Sequence, residues 1–176
     1  MKKILILLFL LMACGNAASI DASRACLELE IIEVEPQGIL NVNLSNANDK
    51  KIKVWKDSNS WGFARWRVIR IREGKSEVYY QNPERVFTRN IPSYNFVERD
   101  KSIKIRLDLN DGEWCKQENS CESSEEKISR FDRVEFKSSD FLIIIFDIPR
   151  TTEALTLDVW YGVVAASWSG VPNQNL

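Results

Sequence analysis

The chain has 176 residues, 44% of them hydrophobic and 28% charged, with a formal net charge of −1. That balance lacks the basic excess of a nucleic-acid or membrane-surface binder and suits one globular domain with a full core. No histidine is present, which removes Ser-His-Asp and Cys-His catalysis and the commonest zinc ligand.

Lys2 and Lys3 precede an unbroken apolar run over residues 4–12. Its length fits the apolar region of a signal peptide and falls well short of the ~20 residues of a membrane-spanning helix. Leu11-Met12-Ala13-Cys14 follows. It resembles the lipobox of bacterial lipoproteins, in which cleavage before a lipidated cysteine makes that cysteine the mature N-terminus. The resemblance implies a signal peptide over residues 1–13, a lipid anchor on Cys14 and a tether over residues 14–25. Gly15 in place of Asp after the cysteine implies an outer-membrane location facing the periplasm. A second reading cleaves after Gly15-Asn16-Ala17 by the small-x-small rule and releases a soluble periplasmic or secreted protein.

Residues 26–176 are expected to form a single domain made almost entirely of strands. Leu27, Leu29 and Ile31 share one face before Ile32 and Val34 take over, which predicts a β-bulge near Ile31–Ile32. Leu40, Val42 and Leu44 alternate with polar residues, as do Ile52 and Val54, with Trp55 out of phase on the Lys51/Lys53 face. Trp66 and Val68 give way to Ile69 and Ile71, predicting a second bulge near Val68–Ile69. That bulge would place Arg65, Arg67, Arg70 and Arg72 on one solvent face. Ile103, Ile105, Leu107 and Leu109 have a period of two, and Asn110-Asp111-Gly112 reads as a hairpin turn. The segment 122–128 predicts one helical turn at most. Residues 141–146 are continuously apolar, as in a strand covered on both faces or at the centre of a sandwich. Leu155, Leu157, Val159 and Tyr161 alternate again and predict a last strand region.

Turn residues punctuate these runs at Pro36-Gln37-Gly38, 46–49, 57–59, Gly74, Asn82-Pro83, Pro92-Ser93 and Gly112. About seven to ten short strands with such spacing indicate an all-β antiparallel sandwich or barrel. An immunoglobulin-like sandwich is the first choice and a barrel the second.

The sequence carries no Gly-x-Ser-x-Gly elbow, phosphate-binding glycine loop, dinucleotide fingerprint or Cys-x-x-Cys pair. No enzyme activity, cofactor or metal is expected. The segment 108–113 resembles a calcium loop only superficially. Its Gly112 falls one position early for an EF-hand, and a plain turn explains it better. Cys115 and Cys121 lie close enough in sequence to close a small loop by a disulfide, leaving Cys26 as a buried thiol or the partner of a second copy.

Charge is unevenly distributed: basic residues predominate over 50–106 and acidic ones over 107–150. The arginines 65–72 are either a basic stripe or a solvated face with cross-strand Glu partners. Trp61 sits in a Ser-, Asn- and Gly-containing segment, and Trp114 follows the Gly112 turn. Each is either an anchor for a protein or sugar, or a lid folded back on the sandwich. Export, an all-β body and no catalytic set favour a non-catalytic envelope module that binds a protein partner, in an inhibitory, immunity or assembly role. Trp61, Arg65, Arg67 and Trp114 are its candidate contacts. Carbohydrate binding, to peptidoglycan or lipopolysaccharide, is the alternative, and a carboxylate hydrolase comes last. Membrane contact is expected through the lipid anchor only, and nucleic acid is not an expected partner.

Overall fold

A computed structural model describes residues 27–81, 90–116 and 133–170. The signal peptide, Cys14, the tether, Cys26, Cys121 and the helical turn expected over 122–128 lie outside the described residues.

Strand β1 (Leu27–Glu35) turns back through Pro36-Gln37-Gly38 into β2 (Ile39–Asn46). Gly38 has φ +82°, and its N–H closes the turn on Glu35 O at 3.2 Å. A Cβ there would lie 2.4 Å from the Val134 carbonyl oxygen, so only glycine fits. The β1–β2 register shifts between Ile31 and Glu33, and Ile32 is turned outward, 51% exposed. This is the bulge expected at that point. Strand β7 (Ser102–Asp108) pairs with the other side of β2 to complete a three-stranded sheet, β1-β2-β7.

The second sheet has the order β10-β9-β4-β5-β8. Its strands are β4 (Trp66–Arg72), β5 (Lys75–Gln81), β8 (Trp114–Cys115), β9 (Phe141–Ile148) and β10 (Gly162–Ser169). All its pairings are antiparallel. Glu73 and Gly74 join β4 to β5 with φ of 51° and 76°, the doubly left-handed geometry of a two-residue hairpin. A short ribbon, β3 (Ile52–Trp55) with β6 (Tyr94–Val97), completes the set of described strands.

The antiparallel sheets β1-β2-β7 and β10-β9-β4-β5-β8 make up an all-β sandwich. The edge strands β1 and β10 run alongside each other. Among the described residues no closed barrel forms. The core lies between the sheets, with Leu40, Val42 and Leu44 of β2 on one side and Val68, Leu142, Ile144 and Phe146 of β4 and β9 on the other. Each such buried side chain contributes roughly 1.5–3 kcal/mol relative to exposure. At one end the Trp66 ring stacks on Phe146 at 4.4 Å, and Phe146 stacks on Trp160 at 6.0 Å.

Three expectations are corrected. β4 pairs with β5 and β9 in unbroken register, so it has no bulge at Val68–Ile69. The phase change there reflects apolar side chains on both faces of the strand. The turn after Leu109 makes no hairpin, because β7 pairs in one sheet and β8 in the other. Residues 155–161 hold no strand. Thr152–Thr156 is a single helical turn, α1, whose Ala154 N–H is capped by Thr151 Oγ1 at 3.1 Å. Residues 141–146 follow the second of their two readings: β9 is an inner strand of a sandwich sheet, with Leu142, Ile144, Phe146 and Ile148 inside and Phe141, Ile143 and Ile145 not buried.

The β3–β6 ribbon prolongs β2 and β7 after a break. Asn46 sits at the break and is 1% exposed. Its Nδ2 donates to Lys50 O and Val97 O, both at 2.9 Å, and its Oδ1 accepts the Asn48 N–H at 2.8 Å. Its backbone N–H donates to Lys101 O, and its carbonyl accepts from the Asp100 N–H. Beyond this bend the ribbon meets the β9–β10 connection. There the Trp160 N–H donates to Lys53 O at 2.8 Å, and Lys53 Nζ donates to Leu157 O at 2.7 Å. A strand that bends from one layer toward the other makes a corner of the sandwich.

Candidate functional site

The loop 56–65 carries the first candidate contacts, and its shape is set from within by one side chain. Asn59 is 1% exposed. Its Nδ2 donates to Ser93 O and Oγ, and its Oδ1 accepts the N–H groups of Trp61 and Gly62. Its carbonyl accepts the Phe63 N–H at 2.9 Å. Gly62 passes so close to Lys56 that a Cβ would lie 2.2 Å from the Lys56 carbonyl oxygen. Ala64 takes a left-handed φ of 58° and leads the chain into β4.

Held this way, the Trp61 ring stacks on Trp55 at 5.6 Å and 26°. Trp61 is half-buried, whereas Trp55 beneath it is buried. Trp61 therefore folds back on Trp55 while staying partly exposed. Arg65 Nε donates to Trp61 O at 2.9 Å, so Trp61 and Arg65 do come together. Burial lowers the Arg65 pKa; nearby Asp147 opposes that effect and Arg67 adds to it. Arg67 lies on the outer face of the sheet and pairs with Asp147 at 3.3 Å.

Next to Trp55, the outer face of the β3–β6 ribbon presents a set that the sequence reading missed. Lys53 stands opposite Phe96, and Trp55 opposite Tyr94. The Tyr94 and Phe96 rings meet edge-on at 5.4 Å. Lys51 Nζ lies 4.6 Å from the Phe96 centroid, and Lys53 Nζ lies 5.1 Å from that of Tyr94, both within cation–π range. Phe96 is 48% exposed. Lys51 and Lys53 alternating opposite Tyr94 and Phe96 was the available signal. It becomes readable only once β3 and β6 are known to pair across a long stretch of chain.

Trp114 does not belong to this surface. It is 1% exposed, because pairing of β8 with Gln81 on β5 draws it into the core. Cys115 beside it is buried and disulfide-bonded, to a partner outside the described residues.

Arg70 and Arg72 also separate from Arg65 and Arg67. They lie on the opposite face of β4, because the strand has no bulge. Arg72 grips the Asp140 carboxylate twice, Nε at 2.5 Å and Nη2 at 2.7 Å, and that carboxylate is fully buried. Burial alone would raise the Asp140 pKa, but Arg72 and the Lys137 N–H bring it below the usual carboxylate range. Arg70 pairs with Glu77, its cross-strand neighbour, which also accepts from the Tyr79 hydroxyl at 2.8 Å. Arg70 and Arg72 both donate to Glu135 O. These two arginines hold the fold. In the 108–113 turn, Asp108 Oδ1 accepts the Asn110 N–H and Asp111 Oδ1 accepts the Glu113 N–H, which is ordinary turn chemistry. Among the described residues no three Cys, Asp or Glu side chains gather as metal ligands.

Comparison with protein-family models, curated proteins and solved structures gave no match.

Proposed function

We propose that the chain is an exported envelope lipoprotein, anchored through Cys14, whose sandwich is a non-catalytic module for binding a protein partner. The observation that carries the binding surface is the Phe96–Tyr94 pair, interleaved with Lys51 and Lys53, beside a Trp61 loop fixed by Asn59. Rigid aromatic rings supply contact area at little entropic cost, and lysines at their rim favour an acidic partner. Arg65, which braces Trp61, acts as a positioning residue for this surface. Lipidation rests on the Leu11-Met12-Ala13-Cys14 resemblance, and the Cys115–Cys121 pairing rests on spacing.

Carbohydrate binding is the second reading, supported by the part-exposed Trp61 ring. In-cell crosslinking of the tagged chain, followed by mass spectrometry, tests the first. Wild-type chain should capture one stoichiometric partner, and Trp61→Ala with Phe96→Ala should reduce that capture tenfold or more with the fold intact. Undiminished capture by a folded double variant would sink the site. Quenching of tryptophan fluorescence by cell-wall fragments, with no protein captured, would move the reading to a glycan.

A further inference from the structure

A sandwich sheet normally packs one face and wets the other, so its strands alternate apolar and polar. β4 and β9, two neighbouring inner strands of the five-stranded sheet, break this rule. Their outward side chains form two neighbouring rows: Ile71 beside Phe141, Ile69 beside Ile143, and Arg67 beside Ile145. None of the four isoleucines is buried, and Phe141 is 38% exposed. Part-exposed apolar side chains in two adjacent rows of one sheet face suit an interaction surface.

We propose that this face is an interface between two copies of the chain. Three observations select a second copy. The first is charge: within the paired strands of this face the charged groups are Arg67 and Asp147, which pair with each other, and Arg65 stands beside them just ahead of β4. The rows Ile69–Ile71 and Phe141–Ile145 carry no charge, so they meet their own image without charge repulsion. The second is relief. β10 sets Ser169, Ser167 and Ala165 beside Phe141, Ile143 and Ile145, a low column next to a tall one. A two-fold rotation seats the tall column of each copy toward the low column of the other, which is the self-complementarity an isologous dimer needs.

The third is area. Four strands about 4.8 Å apart and about seven residues long span on the order of 450 Å² per copy in projection. Specific interfaces bury about 800 Å² per partner. The contact is thus at the small end, and the dimer forms reversibly.

The test uses the full-length chain in cells, with a photo-crosslinking residue at position 167. A product of twice the chain mass is expected, with mass spectrometry placing the link between position 167 of one copy and β4 or β9 of the other. Ile143→Lys should reduce that product tenfold or more. Ser169→Arg, at an exposed position where a long side chain disturbs no packing, should do the same if Ile143→Lys fails to fold. Trp61→Ala with Phe96→Ala should leave the product unchanged, so failure of the partner-binding surface and failure of this interface are told apart. Absence of the doubled product, or a product with a different protein, would overturn the proposal.

Discussion

The side chain of Asn46 donates to the carbonyl of Val97 at 2.9 Å, and the two residues are 51 apart in sequence. Asn46 ends β2 and Val97 ends β6, so this bond spans the break in the long ribbon. It fixes the angle at which β3 and β6 leave the first sheet, and hence where Tyr94, Phe96 and Lys53 stand. A buried amide with all its groups satisfied is costly to replace. Asn46→Ala should lower the unfolding free energy by about 2–3 kcal/mol. Asn46→Asp should lower it further, because it removes both donors and buries a charge against two carbonyls. Urea unfolding measures both, and a loss below 1 kcal/mol for either would show that the bend is set elsewhere.

The Arg72–Asp140 pair should make stability depend on acid. Asp140 has a folded pKa below its unfolded value. The folded state therefore binds fewer protons, and the stabilisation is present above the unfolded carboxylate range of about 3.9. It is lost as pH falls through the folded value. Asp140→Asn keeps the shape and loses the charge, so it should cost about 1–3 kcal/mol near neutral pH. The difference between wild type and variant should close in acid. A gap that does not narrow as pH falls below the unfolded carboxylate range would assign the effect to packing.

Gly62 tests the loop. Its alanine variant puts a Cβ against the Lys56 carbonyl and 2.9 Å from Trp55 Cβ, so the backbone must move and Trp61 must leave Trp55. The near-ultraviolet circular dichroism of the stacked indoles should fall, at a stability cost of about 1–3 kcal/mol. An unchanged spectrum would mean that the loop accommodates the methyl group without unstacking.

The two candidate tryptophans should separate by their energetics. Trp114→Ala empties a site with 1% exposure and should cost about 3–5 kcal/mol. Trp61→Ala removes a half-buried ring and should cost less than half as much, while reducing partner capture. Equal losses would remove the distinction between core and surface on which the proposed site rests.

Much of the sandwich was legible because period-two alternation is a direct image of two faces. The same signal misled where two physical causes produce one pattern. Ile31–Ile32 and Val68–Ile69 show identical phase slips. The first is an inserted residue, and the second is a strand apolar on both sides. Only the pairing register distinguishes them. Leu155, Leu157 and Val159 mimic a strand because a single helical turn is too short to show its own period. The ribbon aromatics were illegible for a different reason. Lys53 and Phe96 are neighbours only through a non-local pairing, and no local window contains both.

One consequence follows from how Asn59 builds its loop. Its amide contacts reach Trp61 and Gly62 through main-chain N–H groups, which every residue except proline supplies. Asp57 and Ser58 project into solvent on the same loop. The shape of the loop is therefore written in one asparagine and one glycine, while the exposed side chains at 57 and 58 take no part in those contacts. A lineage under pressure from a changing partner can alter recognition there by single substitutions without passing through an unfolded intermediate sequence.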